Sequence, residues 1–101
     1  MTSADGLIRS YRAAFLSYLP RRDEAALHRG YELGRAAVVE RRSLLELVHV
    51  HHQVLAEVLQ ETPADEVASV ATAASEFLLE VLATFDMTQR QLRATSPSGE
   101  A

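Results

Sequence analysis

The chain has 101 residues, 48% apolar and 24% charged, with 4 Gly and 3 Pro, a length and composition that suit one folded domain and exclude a disordered or fibrous chain. It contains no Cys, which removes disulfide scaffolds, thiol nucleophiles and thiolate-held zinc or iron–sulfur centres. Its ten basic residues, all arginine and scattered, stand against 14 acidic ones for a net charge of −4, a balance that argues against nucleic-acid binding. No apolar run approaches the ~20 residues of a membrane span, and the first six residues lack the basic and apolar parts of a secretory signal. The expectation is a soluble, cytoplasmic protein with no membrane partner.

The first helix is predicted over Ser3 to Leu19, where Leu7, Tyr11, Phe15, Tyr18 and Leu19 fall at helical spacing and Pro20 disfavours helix in the residue before it. Asp23 is placed to cap a second helix, Ala25 to about Val39, with Leu27, Tyr31, Gly34 and Val38 on its apolar side and Glu24, His28, Glu32 and Arg35 opposite. Gly30 and Gly34 form a G-x-x-x-G pattern, which in a helix flanked by charges reads as close packing inside a bundle. Ser43-Leu-Leu-Glu46 reads as a reciprocal capping box opening a third helix to about Gln60. Thr62-Pro63-Ala64-Asp65 supplies a cap, a first-turn proline and a favourable acid for a fourth.

Nothing breaks that fourth helix before Ser96-Pro97-Ser98-Gly99, so it is expected from Pro63 to about Arg93, roughly 46 Å at 1.5 Å per residue. The other helices reach only about 21–27 Å by the same arithmetic, so the last must bend near Asp86 or be covered by a second subunit over Phe85, Met87 and Leu92. Its run Phe77-Leu78-Leu79 with Val81-Leu82 spreads apolar side chains over more than one stripe. The fold expected is all-α, four helices with a long C-terminal one, forming a homodimer. Residues 1–94 make the domain and 95–101, polar with Pro and Gly, a flexible linker or chain end.

Three of four histidines crowd into His49-Val-His51-His52. On a helical wheel His51 joins Leu44, Val48, Leu55 and Val58 in the seam read as buried, where a core histidine bonded to a neighbouring helix is expected. His49 and His52 share the flank. Glu46-x-x-His49 matches the unit that di-iron bundles use, but that architecture needs it twice and it occurs once. No strand-turn-helix nucleophile elbow and no phosphate loop is present. No metal, cofactor or catalytic residue is expected, and the chain reads as a non-enzyme. A histidine phosphotransfer domain using His49 or His52 is the alternative, against which stands the absence of any Lys.

Tyr11 to Leu19, Tyr31-Glu-Leu-Gly-Arg35, Ser43 to His51 with Val54-Leu55, and Phe85-Asp-Met-Thr-Gln89 resemble, in order and spacing, the N-terminal domain of bacterial RsbU-type stress-response phosphatases over about residues 7 to 93. The resemblance implies a homodimeric helical domain that docks an RsbT-type switch kinase. In that family docking turns on a PP2C-type phosphatase downstream, which dephosphorylates a STAS-domain antagonist and releases a sigma factor. This chain corresponds to the receiver alone. The family's partner contacts fall, by the resemblance, on Glu24, His28, Leu79 and Ala83. His28 stands where an aromatic residue is more typical and Ala83 where a larger aliphatic one is, departures that bear on which partner fits.

Overall fold

The computed structural model describes residues 4–94. They form α1 (Ala4–Arg21), α2 (Glu24–Val39), α3 (Leu44–Gln60), a 310 turn (Ala64–Glu66) and α4 (Val67–Ala94). The expected all-α class and long last helix are both found. The helix start placed at Ser3 and the linker at 95–101 lie outside the described residues.

Local chemistry sets most boundaries. The Asp23 side chain accepts from the Ala26 N–H at 2.8 Å, and this bond foremost holds its carboxyl below the usual carboxylate range. The Ser43 hydroxyl accepts from the Glu46 N–H at 3.1 Å, so that half of the capping box forms. The return half does not, because the Glu46 carboxylate accepts from the Arg42 guanidinium at 2.7 Å. Ser43→Ala is expected to cost about 1 kcal/mol, read as a lower urea midpoint at unchanged slope.

Two predicted ends are corrected. Pro20 does not stop α1 at Leu19; the helix reaches Arg21, and the Arg22 N–H closes the last turn on the Tyr18 carbonyl at 2.8 Å. Arg22 takes a left-handed φ of 51°, and its guanidinium donates to the Ser69 carbonyl and hydroxyl, both at 2.7 Å, which ties this turn to the start of α4. Thr62 does not cap the last helix either. Its hydroxyl donates back to the Val58 carbonyl at 2.7 Å, and the chain enters α4 through the 310 turn, where the Glu66 N–H donates to the Pro63 carbonyl.

Helices α2 and α4 run parallel, Gly30 meeting Phe77 and Val81 and Gly34 meeting Val81 and Phe85 one turn on, and they form the most extensive helix pair. Small residues make it: α2 buries Ala26, Gly30, Gly34 and Ala37, whereas the larger Leu27 and Val38, expected as its inward side, pack at the core's edge. A Cβ on Gly30 would lie 3.2 Å from the Phe77 ring, and one on Gly34 would lie 2.5 Å from the Val81 carbonyl oxygen. At Gly34 the two backbones approach closer than any side chain permits. The G-x-x-x-G pattern is therefore an intramolecular packing device.

The core centres on Phe77, which is fully buried among the rings of Tyr11, Phe15 and Tyr18 at centroid distances of 5.3, 5.7 and 5.7 Å. The aromatic stripe of α1 thus points inward as expected. Tyr18 reaches out of the core to donate to Glu76 at 3.0 Å; burial first and this carboxylate second raise its phenol above the ordinary range. On α3 the buried seam is Leu47, Val50 and Val54, one step around the helix from the stripe read from the sequence. Leu44 and Val48 are exposed instead.

Helix α4 is unbroken over 28 residues, about 42 Å at 1.5 Å per residue, in a domain measuring 56 × 28 × 18 Å. No break falls near Asp86. Phe85 is buried by the domain's own α2, while Met87 and Leu92 stay half-exposed. The stretch Ala64–Ala94 has the length and apolarity of a membrane span, and its Phe77, Val81 and Phe85 are buried in the bundle while Leu79, Met87 and Leu92 are exposed.

Candidate docking surface

The histidine cluster separates as the helix turns. His51 faces α1, where its Nδ1 lies 2.8 Å from the Tyr11 hydroxyl, a histidine bonded to a neighbouring helix as expected. His49 and His52 are exposed and take no side-chain hydrogen-bond partner among the described residues. Among the described residues no three His, Asp or Glu side chains group as metal ligands, and Glu46, the carboxylate of the Glu-x-x-His unit, is held by Arg42.

The four residues carried over as partner contacts fall into two pairs. Glu24 opens α2, where a negative charge suits the helix N-terminus, and His28 follows one turn later. Both are exposed. The His28 imidazole stacks on Tyr31 at 5.2 Å and 15° and lies 3.4 Å from the Glu32 carboxylate, so the α2 face is a preformed polar and aromatic strip. Leu79 and Ala83, one turn apart on α4, are also exposed, Leu79 by 69%.

The pairs point away from each other. His28 precedes Gly30, which faces α4, by two residues, a rotation of about 200°. Leu79 and Ala83 flank Val81, which faces α2, by the same step. Within one chain they sit on opposite sides of the α2–α4 pair.

A larger apolar exterior went unread in the sequence. Leu45 is 71% exposed, and Leu44 and Val48 lie beside it on α3. A shallow cavity of about 560 Å³ joins Leu44 to Leu82, Phe85, Asp86 and Gln89 of α4, so the α3 stripe and the α4 flank form one surface. Asp86 and Arg90, ion-paired at 3.2 Å, lie on the same helix. Helical spacing puts Leu44 and Val48 in the seam read as buried and Leu45 on the flank with His49 and His52.

An apolar exterior on a small α-helical bundle is the kind of surface that marks an interaction site. The family model for the phosphoserine phosphatase RsbU, N-terminal domain, matches residues 9–88. The chain belongs to that family, whose domain is regulatory, soluble and separate from the phosphatase domain itself. No curated protein and no solved structure matches the chain.

Proposed function

We propose that this domain is a non-catalytic docking and dimerisation module for partner switching, which receives an RsbT-type switch kinase or an equivalent regulatory protein. Its signal would pass along α4 to a PP2C-type phosphatase or another output. The observation that most supports this reading is Leu79, a large apolar side chain 69% exposed in mid-helix at a position the family resemblance assigns to the partner. The mechanism is mass action: a partner that binds one arrangement better populates it.

The opposed directions of the two anchor pairs favour a composite site. A homodimer through the α3–α4 apolar face would bury Leu44, Leu45 and Leu82, and could set the α2 strip of one copy beside the Leu79 face of the other. Light scattering should give twice the chain mass of 11.1 kDa, and Leu45→Asp should return it to the single mass. A chain that stays single at micromolar concentration removes the dimer.

For docking, Leu79→Asp and Glu24→Arg are each expected to weaken binding of a co-encoded GHKL-type kinase about tenfold or more, about 1.4 kcal/mol, with helicity unchanged. Titration calorimetry reads this directly. Wild-type affinity in both variants would discard the carried-over patch.

A further inference from the structure

The fully buried Tyr11 sits where three helices meet, its ring edge-on to His51 of α3 at 5.8 Å and to Phe77 of α4 at 5.3 Å. Among the described residues its hydroxyl has one hydrogen-bond partner, His51 Nδ1, at 2.8 Å. If Nδ1 carried the imidazole hydrogen, the phenolic hydrogen would have no acceptor, and buried polar groups are almost always paired. The arrangement that satisfies both side chains has the phenol donating to a bare Nδ1, which puts the ring hydrogen on Nε2.

We propose that the Tyr11–His51 bond is a proton-sensitive latch between α1 and α3, weakened when a second proton occupies His51 Nδ1, because the bond must then reverse and the buried phenolic hydrogen loses its acceptor. The groups facing the ring give that proton no compensation. From α1 come Tyr11 and, next to it, Arg12, which is committed to Glu57 of α3 through bonds of 2.9 and 3.1 Å. On α3 the neighbouring charge is His52, which opposes a positive His51. From α4 comes Phe77, packed edge-on to the Tyr11 ring, and Glu76 beside it is bonded to Tyr18. Burial first and His52 second hold His51 below the ordinary imidazole range, while burial pushes the Tyr11 phenol far above its own, so the imidazole is the half of the pair that titrates. The latch is independent of the docking reading.

The native state resists a proton that the unfolded chain accepts. Stability from this source is therefore complete above the ordinary imidazole range and is lost as pH falls through it, by up to tenfold in the folding constant per pH unit for one proton. Long-range 1H–15N NMR of the histidine rings in the whole chain, with urea unfolding at pH 7.5 and 5.5, tests it. His51 should be the Nε2–H tautomer and titrate below free imidazole, and the folding constant should drop several-fold more in wild type than in His51→Asn, whose amide oxygen accepts near the Nδ1 position without titrating. Tyr11→Phe should erase the tautomer preference; should that variant not fold, the wild-type spectrum and His51→Asn decide. An Nδ1–H tautomer at neutral pH, a titration at or above free imidazole, or an equal drop in His51→Asn overturns the latch.

Discussion

Gly34→Ala is expected to lower the melting temperature by roughly 10–20 °C, equivalent to about 2–3 kcal/mol in a domain of this size. The sign is informative, because alanine is the better helix former by up to ~1 kcal/mol and propensity alone predicts stabilisation. Packing decides otherwise. The added methyl would lie 2.5 Å from the Val81 carbonyl oxygen, 2.9 Å from Thr84 Cβ and 3.0 Å from the Phe85 amide nitrogen. Two of those atoms are backbone and cannot rotate away, so α2 has to lift from α4, an overpacking cost of the upper kind. Gly30→Ala is the control: its methyl meets side-chain atoms of Phe77 and Val81 at 3.2 and 3.3 Å, which can yield, and propensity offsets the strain. Thermal unfolding followed by circular dichroism should place Gly30→Ala within about 1 kcal/mol of wild type. A Gly34→Ala protein as stable as wild type would mean that the helices are not held at this separation.

Phe77→Ala should remove about 3–5 kcal/mol, a large share of the 5–15 kcal/mol typical of a folded domain. The ring is fully buried and touches all three aromatic side chains of the α1 stripe, so its loss opens a cavity that α1, α2 and α4 cannot close together. Phe77→Leu keeps much of the volume and is expected to lose less than half as much. Urea midpoints for the two variants, compared at common slope, give the difference. A loss below 1 kcal/mol in Phe77→Ala would place the centre of the core elsewhere.

The helix ends were legible where a single side chain decides them. Asp23 and Ser43 cap α2 and α3 as read, because a hydroxyl or carboxylate beside a free N–H is a local matter. The C-terminal end of α1 was misread for the opposite reason, and the start of α4 because the Thr62 hydroxyl turns back to Val58. The turn after Pro20 is tied to Ser69, 47 residues away, and no rule about neighbours in the chain contains that tether. On α3 two apolar stripes share helical spacing, Leu44-Val48-Leu55 and Leu47-Val50-Val54, and periodicity alone cannot rank them. The choice belongs to the surface α1 and α4 offer. Exposure of Glu24, His28 and Leu79 was readable from the polar side of the second helix and the apolar surplus of the fourth. Their opposed directions were not, because they depend on α2 and α4 packing in parallel through glycine.

Because Gly34 sits against the α4 backbone with no side chain between, neither helix can slide past the other without first separating. A load on either helix at this contact is therefore shared by both and is not relieved by sliding. With about 20 Å of α4 beyond Val81 at 1.5 Å per residue, a rotation of about 5° about that contact moves the Ala94 end sideways by about 2 Å.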